Sequence, residues 1–293
     1  MPGCCRRKTP MASGLAVLIF RQGSSAVPKR TSGTIETLAI LHSRDKFGTV
    51  PAPLNGYEFS LKDLREWGVD ATTLAGTADK LAANSRWEYD DLPYWGGEVD
   101  VCINSFTLAN GAWLGADVTQ LATWFATHRL SDGGWNCEAE EGNSTRSSFH
   151  STLNAIRGIL AYEKITGDTN LRAARRGGEE YLLDRQLLFR ASTGEPVGKF
   201  VTQFVYPNRY QYSAIAALDH FRDAALLDGT PPDPRLTNAI ELVRAARRSD
   251  GTWVQGAALA GRTWFDVDAA EGEPSRWLTL TGTRVLDWWD THH

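Results

Sequence analysis

The chain is poor in cysteine and methionine, with 4 Cys and 2 Met among 293 residues. Two of the cysteines, Cys4 and Cys5, stand side by side near the start, so only Cys102 and Cys137 remain for the body. That excludes a disulfide-stapled scaffold and suits a reducing, cytoplasmic setting. No apolar run approaches the ~18 residues that a transmembrane helix needs. Neither sign of charge predominates: 31 Lys+Arg against 35 Asp+Glu leave a net charge of -4. The electrostatic footprint of a nucleic-acid binder is therefore missing. Sustained period-2 alternation is missing too, which argues against a strand-built fold. What the chain holds in quantity is tryptophan, 11 residues, within an apolar fraction of 42% that can fill a globular core. Length alone allows one large helical domain or two domains of about 150 residues.

Residues 1–50 read differently from the rest. Arg6-Arg7-Lys8 precedes an apolar run from Leu15 to Phe20 and the small residues Ser24-Ser25-Ala26. This is the outline of a signal peptide, but the run is short and Arg21 closes it. The expectation is an atypical leader, or a start at Met11, followed by a single domain over 51–293.

From about Phe59 onward the pattern is helical. Cys102, Phe106, Ala109 and Trp113 fall at i, i+4, i+7 and i+11, and Phe149, Leu153, Ile156 and Leu160 repeat that stripe. Leu236, Ile240 and Val243 make a shorter version, and Leu278, Val285 and Trp289 mark a final helix. Between them lie helices predicted over 117–127, 170–189 and 235–248, the first with Asp117 as N-cap. The turns carry a repeat: Ser131-Asp132-Gly133-Gly134-Trp135 returns as Ser249-Asp250-Gly251-Thr252-Trp253. Midway, Ser192-Thr193-Gly194-Glu195-Pro196 reads as the same turn without its Trp. The next helices open alike, with Arg146 before Phe149, Arg209 before Tyr210 and Arg276 before Trp277. A period of roughly 60 residues carrying two helices predicts stacked hairpins, each burying its face on its neighbours. The fold class is all-α, with inner helices lining a cavity. A complete or partial toroid and an open superhelix both satisfy the pattern.

Asp-Gly-Gly-Trp turns at this pitch resemble the terpenoid cyclase and protein prenyltransferase superfamily, an α/α toroid, and most nearly its small bacterial squalene-cyclase-like members. The likeness runs from about Phe59 to Trp289. Its strongest pieces are Gly97-Glu98-Val99-Asp100-Val101-Cys102-Ile103-Asn104 and Asp132-Gly133-Gly134-Trp135-Asn136-Cys137-Glu138. Ser147-Ser148-Phe149-His150-Ser151-Thr152 and Gly272-Glu273-Pro274-Ser275-Arg276-Trp277 complete it. The family repeat has Gln three residues before its Asp, where this chain has Arg129 and Arg247.

Three constellations follow, two implied by the resemblance and the third by the repeat itself. Prenyltransferase β subunits bind zinc through Asp-x-Cys and a later His, so Asp100, Cys102 and His150 are the expected ligands of one zinc ion, with Cys137 or Glu138 able to close the shell. The opposing reading makes Cys102 a packing residue on its apolar stripe. The family's diphosphate-binding basic residues are missing before Asp100, where Asp90-Asp91 and aromatics stand instead, so protein farnesylation is not expected. Protonating cyclases use Asp-x-Asp-Asp, which Asp266-Val267-Asp268 resembles with Asp268 as acid, although Ala269 replaces the last Asp. The catalytic candidates are thus Asp268, Asp266 and Glu138. Finally, Arg146, Arg209 and Arg276 at successive helix starts would either fork an anionic ligand or pair with loop carboxylates. Phe149, Tyr210, Tyr212, Trp264 and Trp277 beside them would line the cavity or form plain core. The functional expectation is an enzyme acting on an isoprenoid or other anionic amphiphile. The alternatives are a noncatalytic toroid binding a lipid or a protein, and a protonation-type terpene cyclase.

Overall fold

Alternation of two kinds of helix organises the chain. The computed structural model describes residues 55–87, 90–140, 142–257 and 266–292, with side chains in the first helix from Glu58 onward. The leader and Trp264 lie outside the described residues. In chain order the helices are α1 (Asn55–Glu66), α2 (Thr77–Asn84), α3 (Val101–Leu114), α4 (Thr119–Thr127) and α5 (Phe149–Thr166). They are followed by α6 (Arg172–Leu183), α7 (Ala214–Asp228), α8 (Thr237–Ala245) and α9 (Arg276–His292). Strand is confined, among the described residues, to β1 (Trp253–Val254) and β2 (Pro274–Ser275), which pair antiparallel.

The odd-numbered helices α3, α5 and α7 are apolar around most of their circumference, as expected of helices enclosed by others. In α3 every residue from Val101 to Gly111 is buried except Ile103, which is half-buried. By contrast α4 buries Leu121 and Phe125 and exposes much of the rest. α3 and α5 approach closely where Gly158 meets the Ser105 backbone, since a Cβ there would stand 2.5 Å from the Ser105 carbonyl oxygen. α1 reaches all four later odd helices or their approaches. Phe59 packs on Phe106 of α3, Glu66 pairs with Arg157 of α5, Asp63 pairs with Arg209 before α7, and Trp67 stacks on Trp277 of α9.

The two Asp-Gly-x-Trp turns share one set of bonds. Gly133 N donates to the Leu130 carbonyl and Leu130 N to that of Gly134, and Gly251, Arg248 and Thr252 repeat this pattern. Gly133 and Gly251 sit at φ +99° and +86°, backbone that a side chain rarely tolerates. The buried Trp135 donates its backbone N–H to Thr152 of α5 (3.1 Å) and its indole N–H to the Phe125 carbonyl of α4 (3.3 Å). Trp253 does the same with Thr279 of α9 (3.2 Å) and the Val243 carbonyl of α8 (2.9 Å). Each indole therefore ties the helix before its turn to the helix after it.

Three helix boundaries differ from the sequence expectation. The helix predicted to run to Phe189 ends at Leu183, because Gln186 and Leu187 take positive φ (47° and 63°) and Leu187 turns fully into the core. The helix expected near Tyr210 begins at Ala214, because the preceding loop is spent on tertiary bonds, among them Tyr212 N to His150 Nδ1. A 3-10 turn over Pro234–Leu236 occupies the first part of the segment expected to be α8.

Candidate functional site

A cavity of about 460 Å³ opens between the odd-numbered helices. Its wall takes Glu66 from α1, Trp113 from α3, Arg157 from α5, His220 from α7 and Trp277 from α9, with Tyr206 from the loop before α7. Small residues on its wall (Gly158, Ala161, Ala216) leave room for it.

The charge on the wall is uneven. Lys62, Arg65 and Arg157 cluster around one carboxylate, Glu66, which accepts from Lys62 Nζ at 2.8 Å and from Arg157 Nη2 at 3.2 Å. Arg65 donates instead to the Asn110 side chain at 3.1 Å, with no carboxylate in ion-pair contact among the described residues. Burial pulls Glu66 upward, but Lys62, Arg157 and Arg65 more than offset it, to about 2. Lys62 is fully buried, and that burial lowers its pKa despite Glu66. Elsewhere on the wall, Lys164 pairs with Asp223 (3.3 Å) and Arg284 Nε with Asp219 (2.7 Å). Burial pushes the Asp219 carboxyl up, and Arg284 restrains it.

Behind α7 lies a buried ionic cluster that ties α5, α6 and α7 together. Arg175, with no exposed surface, donates to Glu163 (3.0 Å), Glu179 (2.8 Å) and Asp228 (2.9 Å). Glu179 Oε1 also meets His220 Nε2 at 2.9 Å. Burial raises Glu179, and its bonds to His220 and Arg175 more than offset that and leave it lowered. Nothing in the sequence pointed to this cluster, because His220 and Glu179 lie 41 residues apart in the chain and Arg175 and Asp228 lie 53 apart.

The residues singled out from sequence fall elsewhere, with one exception. Trp277 lines the cavity, whereas Arg146, Arg209 and Arg276 do not. Arg146 and Arg276 are exposed. Arg209 pairs with Asp63 of α1 (2.7 Å), not with a loop carboxylate, and lies over the Phe59 ring (4.9 Å). Phe149 and Tyr212 are buried and pack edge-to-face at 5.1 Å, away from the cavity wall, while Tyr210 lends its carbonyl to Asn154.

The acidic candidates are placed for structure. Asp268 accepts from the Ser275 hydroxyl and from Arg276 N (3.2 Å), fastening its loop to the start of α9. Asp266 and Glu138 are exposed.

The expected zinc residues are not assembled as a metal group among the described residues. Cys102 Sγ lies 3.4 Å from Cys137 Sγ and accepts from Asn154, but His150 Nδ1 accepts from Tyr212 N at 2.9 Å. A neutral imidazole whose Nδ1 lone pair is taken carries its proton on Nε2, so no lone pair remains for zinc. Asp100 stands at the N-cap of α3, and among the described residues no group of three His, Cys, Asp or Glu could hold a metal ion.

Several motif residues have structural work in their place. Asn104 grips both backbone groups of Glu98 (2.7 and 2.6 Å), and Gly97, at φ +83°, has no room for a Cβ beside Leu121. Asp132 accepts from Ser147 N at 3.0 Å and from its hydroxyl, joining the turn to the approach to α5. Comparison with family models, with curated proteins and with solved structures finds no match to this chain. Among the described residues no helix is long and apolar enough to cross a membrane.

Proposed function

We propose that the chain is an α/α-toroid protein of the terpenoid cyclase and prenyltransferase type whose central cavity holds an anionic amphiphile. The observation that carries this reading is the corner where Lys62 and Arg157 pair with the one carboxylate Glu66 and Arg65 donates only to Asn110, beside a wall built from Phe106, Trp113, Leu160 and Trp277. An uncompensated cation in a recess is costly unless an anion completes it, and an apolar wall favours the hydrocarbon attached to that anion. The ring-like reading draws support from five alternate helices sharing one cavity and from two turns with the same bonds.

Zinc-dependent prenyl transfer and Asp268-driven cyclisation draw no such support, since Asp268 holds the α9 approach and His150 spends its lone pair on Tyr212. The binding reading is therefore preferred over the two catalytic ones.

Calorimetric titration with dodecanoate and with farnesyl diphosphate tests it. Both should bind, and dodecyltrimethylammonium should not. Arg65→Ala should weaken binding about ten- to a hundredfold, the worth of a charge-assisted hydrogen bond, beyond the stability lost when the buried Asn110 Oδ1 loses its donor. Absence of binding by both anions, or equal binding by Arg65→Ala, would overturn the proposal.

A further inference from the structure

Resting on that reading, we infer that the anionic group held in the corner is a phosphate monoester, and that Glu66 sets this choice by fixing how much charge the corner lacks. Lys62, Arg65 and Arg157 bring three positive charges to the cavity wall and Glu66 brings one negative charge, so two remain unmatched. The other charges on the wall balance one to one, Asp219 with Arg284 and Asp223 with Lys164. Glu58, joined to Arg65 through Asn110, does not line the wall. Burial raises its carboxyl to about 7, so near neutrality it offsets only part of the excess. The Glu66 carboxyl, held at about 2, stays ionised from pH 5 upward.

An occupant can reach this corner. The Glu66 and Arg157 side chains keep 27% and 23% of their surface exposed, and Arg65 is half-buried. Lys62 Nζ is spent on Glu66, whereas Arg65 engages only its Nε among the described residues, on Asn110. The outer edge of the Arg65 guanidinium, with two parallel N–H groups, matches two oxygens of a phosphate or a carboxylate. Charge then separates the candidates. A carboxylate brings one negative charge and leaves one cation unmatched. A phosphate monoester brings about −2 above its second pKa of about 6, which is what the corner lacks. A diphosphate brings more than the corner lacks. The cost of drying an anion grows with the square of its charge, and its attraction grows only in proportion. The ligand class is an amphiphile with a single-phosphate head.

The test is titration calorimetry on the full chain with dodecyl phosphate and with its methyl ester, the same head with one charge removed. At pH 7 dodecyl phosphate should bind on the order of tenfold more tightly. At pH 5, where both ligands carry one charge, the two should bind alike. Comparing two ligands at each pH cancels any titration of the protein itself. Inorganic phosphate should bind on the order of a hundredfold more weakly than dodecyl phosphate, because it lacks the chain. Glu66→Gln keeps an oxygen toward Lys62 and raises the unmatched charge to three. Dodecyl diphosphate should then gain about tenfold relative to dodecyl phosphate. The wild-type pH comparison serves if that variant fails to fold. Equal binding of dodecyl phosphate and its methyl ester at pH 7, a preference that persists at pH 5, or an unchanged ranking in Glu66→Gln would overturn the inference and leave the amphiphile reading standing. Inorganic phosphate binding as tightly as dodecyl phosphate would also overturn it. If neither dodecyl phosphate nor dodecanoate binds, the amphiphile reading falls, and this assignment falls with it.

Discussion

At the scale of single residues, the most informative group is Glu58, which titrates far from its usual range. It is buried on α1 and accepts from Thr107 (3.0 Å) and Asn110 (2.7 Å) of α3. Burial pushes its carboxyl from 4.5 up to about 7, against the pull of Tyr94, Asn110, Thr107 and Arg65. The folded state thus holds this proton more tightly than the unfolded chain does. The resulting stability is complete below about pH 4.5 and is lost as pH rises through about 7. Its size is on the order of 3 kcal/mol. Urea unfolding of the wild type should show that loss between pH 5 and pH 8, and Glu58→Gln should remove most of it. A pH-independent wild type would refute the assignment. Glu66 acts with the opposite sign, because its carboxyl is depressed to about 2. Its contribution is present above about 4.5 and is lost as pH falls toward 2, outside the window of the Glu58 test. None of this was legible in the sequence, since neither burial nor a partner some fifty residues away shows in a local pattern.

At the scale of elements, the helices and the tryptophan turns were legible, and the reason is packing. A Trp that ends a hairpin turn must enter the groove between two helices, and here each ring is met by a glycine. A Cβ on Gly178 of α6 would stand 2.7 Å from the Trp135 ring, and one on Gly282 of α9 would stand 2.8 Å from the Trp253 ring. In an exposed helix Gly→Ala stabilises by about 0.5–1 kcal/mol through the backbone. Here the clash decides the sign, and Gly282→Ala should destabilise by about 1–3 kcal/mol. Combined with Trp253→Leu, which empties the space the methyl needs, the added cost should largely vanish. Chemical unfolding of the two single variants and the double variant measures the coupling, and additive losses would show that the ring and the glycine are not partners. The arginines at the helix starts were legible as a repeat and misleading as a site. Periodic placement shows that positions are equivalent in sequence, not that their side chains converge on one ligand.

At the scale of the whole molecule, the end of α1 is joined to the start of α9. Trp67 stacks on Trp277 (6.1 Å), Trp277 stacks on Tyr206 (4.7 Å), and the Trp67 indole donates to the Tyr206 hydroxyl at 2.6 Å. Burial, with Glu66 and Asp63 nearby, raises the Tyr206 phenol well above its usual range, so it stays neutral and able to accept that bond. This contact closes the wall of the cavity between α1 and α9. Trp277→Ala should cost about 2–4 kcal/mol and speed hydrogen exchange in α1, while amides of α5 and α6 keep their protection. Uniform loss of protection across all helices would mean that the closure is not a separate element of stability.

What the sequence by itself determined was the all-α class and the presence of helices at the apolar stripes. These follow from residue spacing, which local backbone geometry converts directly into faces. Trp277 lines the cavity, but nothing in the sequence separated it from Phe149, Tyr210 and Tyr212, which do not. The corner of Lys62, Arg65 and Arg157, the Arg175 cluster and the Glu179–His220 pair were decided by the tertiary structure alone. Each joins side chains from different helices, and their meeting depends on how far each helix is rotated and translated against its neighbours. The zinc expectation draws no support from the described geometry. Asp100, Cys102 and His150 have the residue types and order of a metal site, but the packing of the loop before α7 brings Tyr212 N to His150 first.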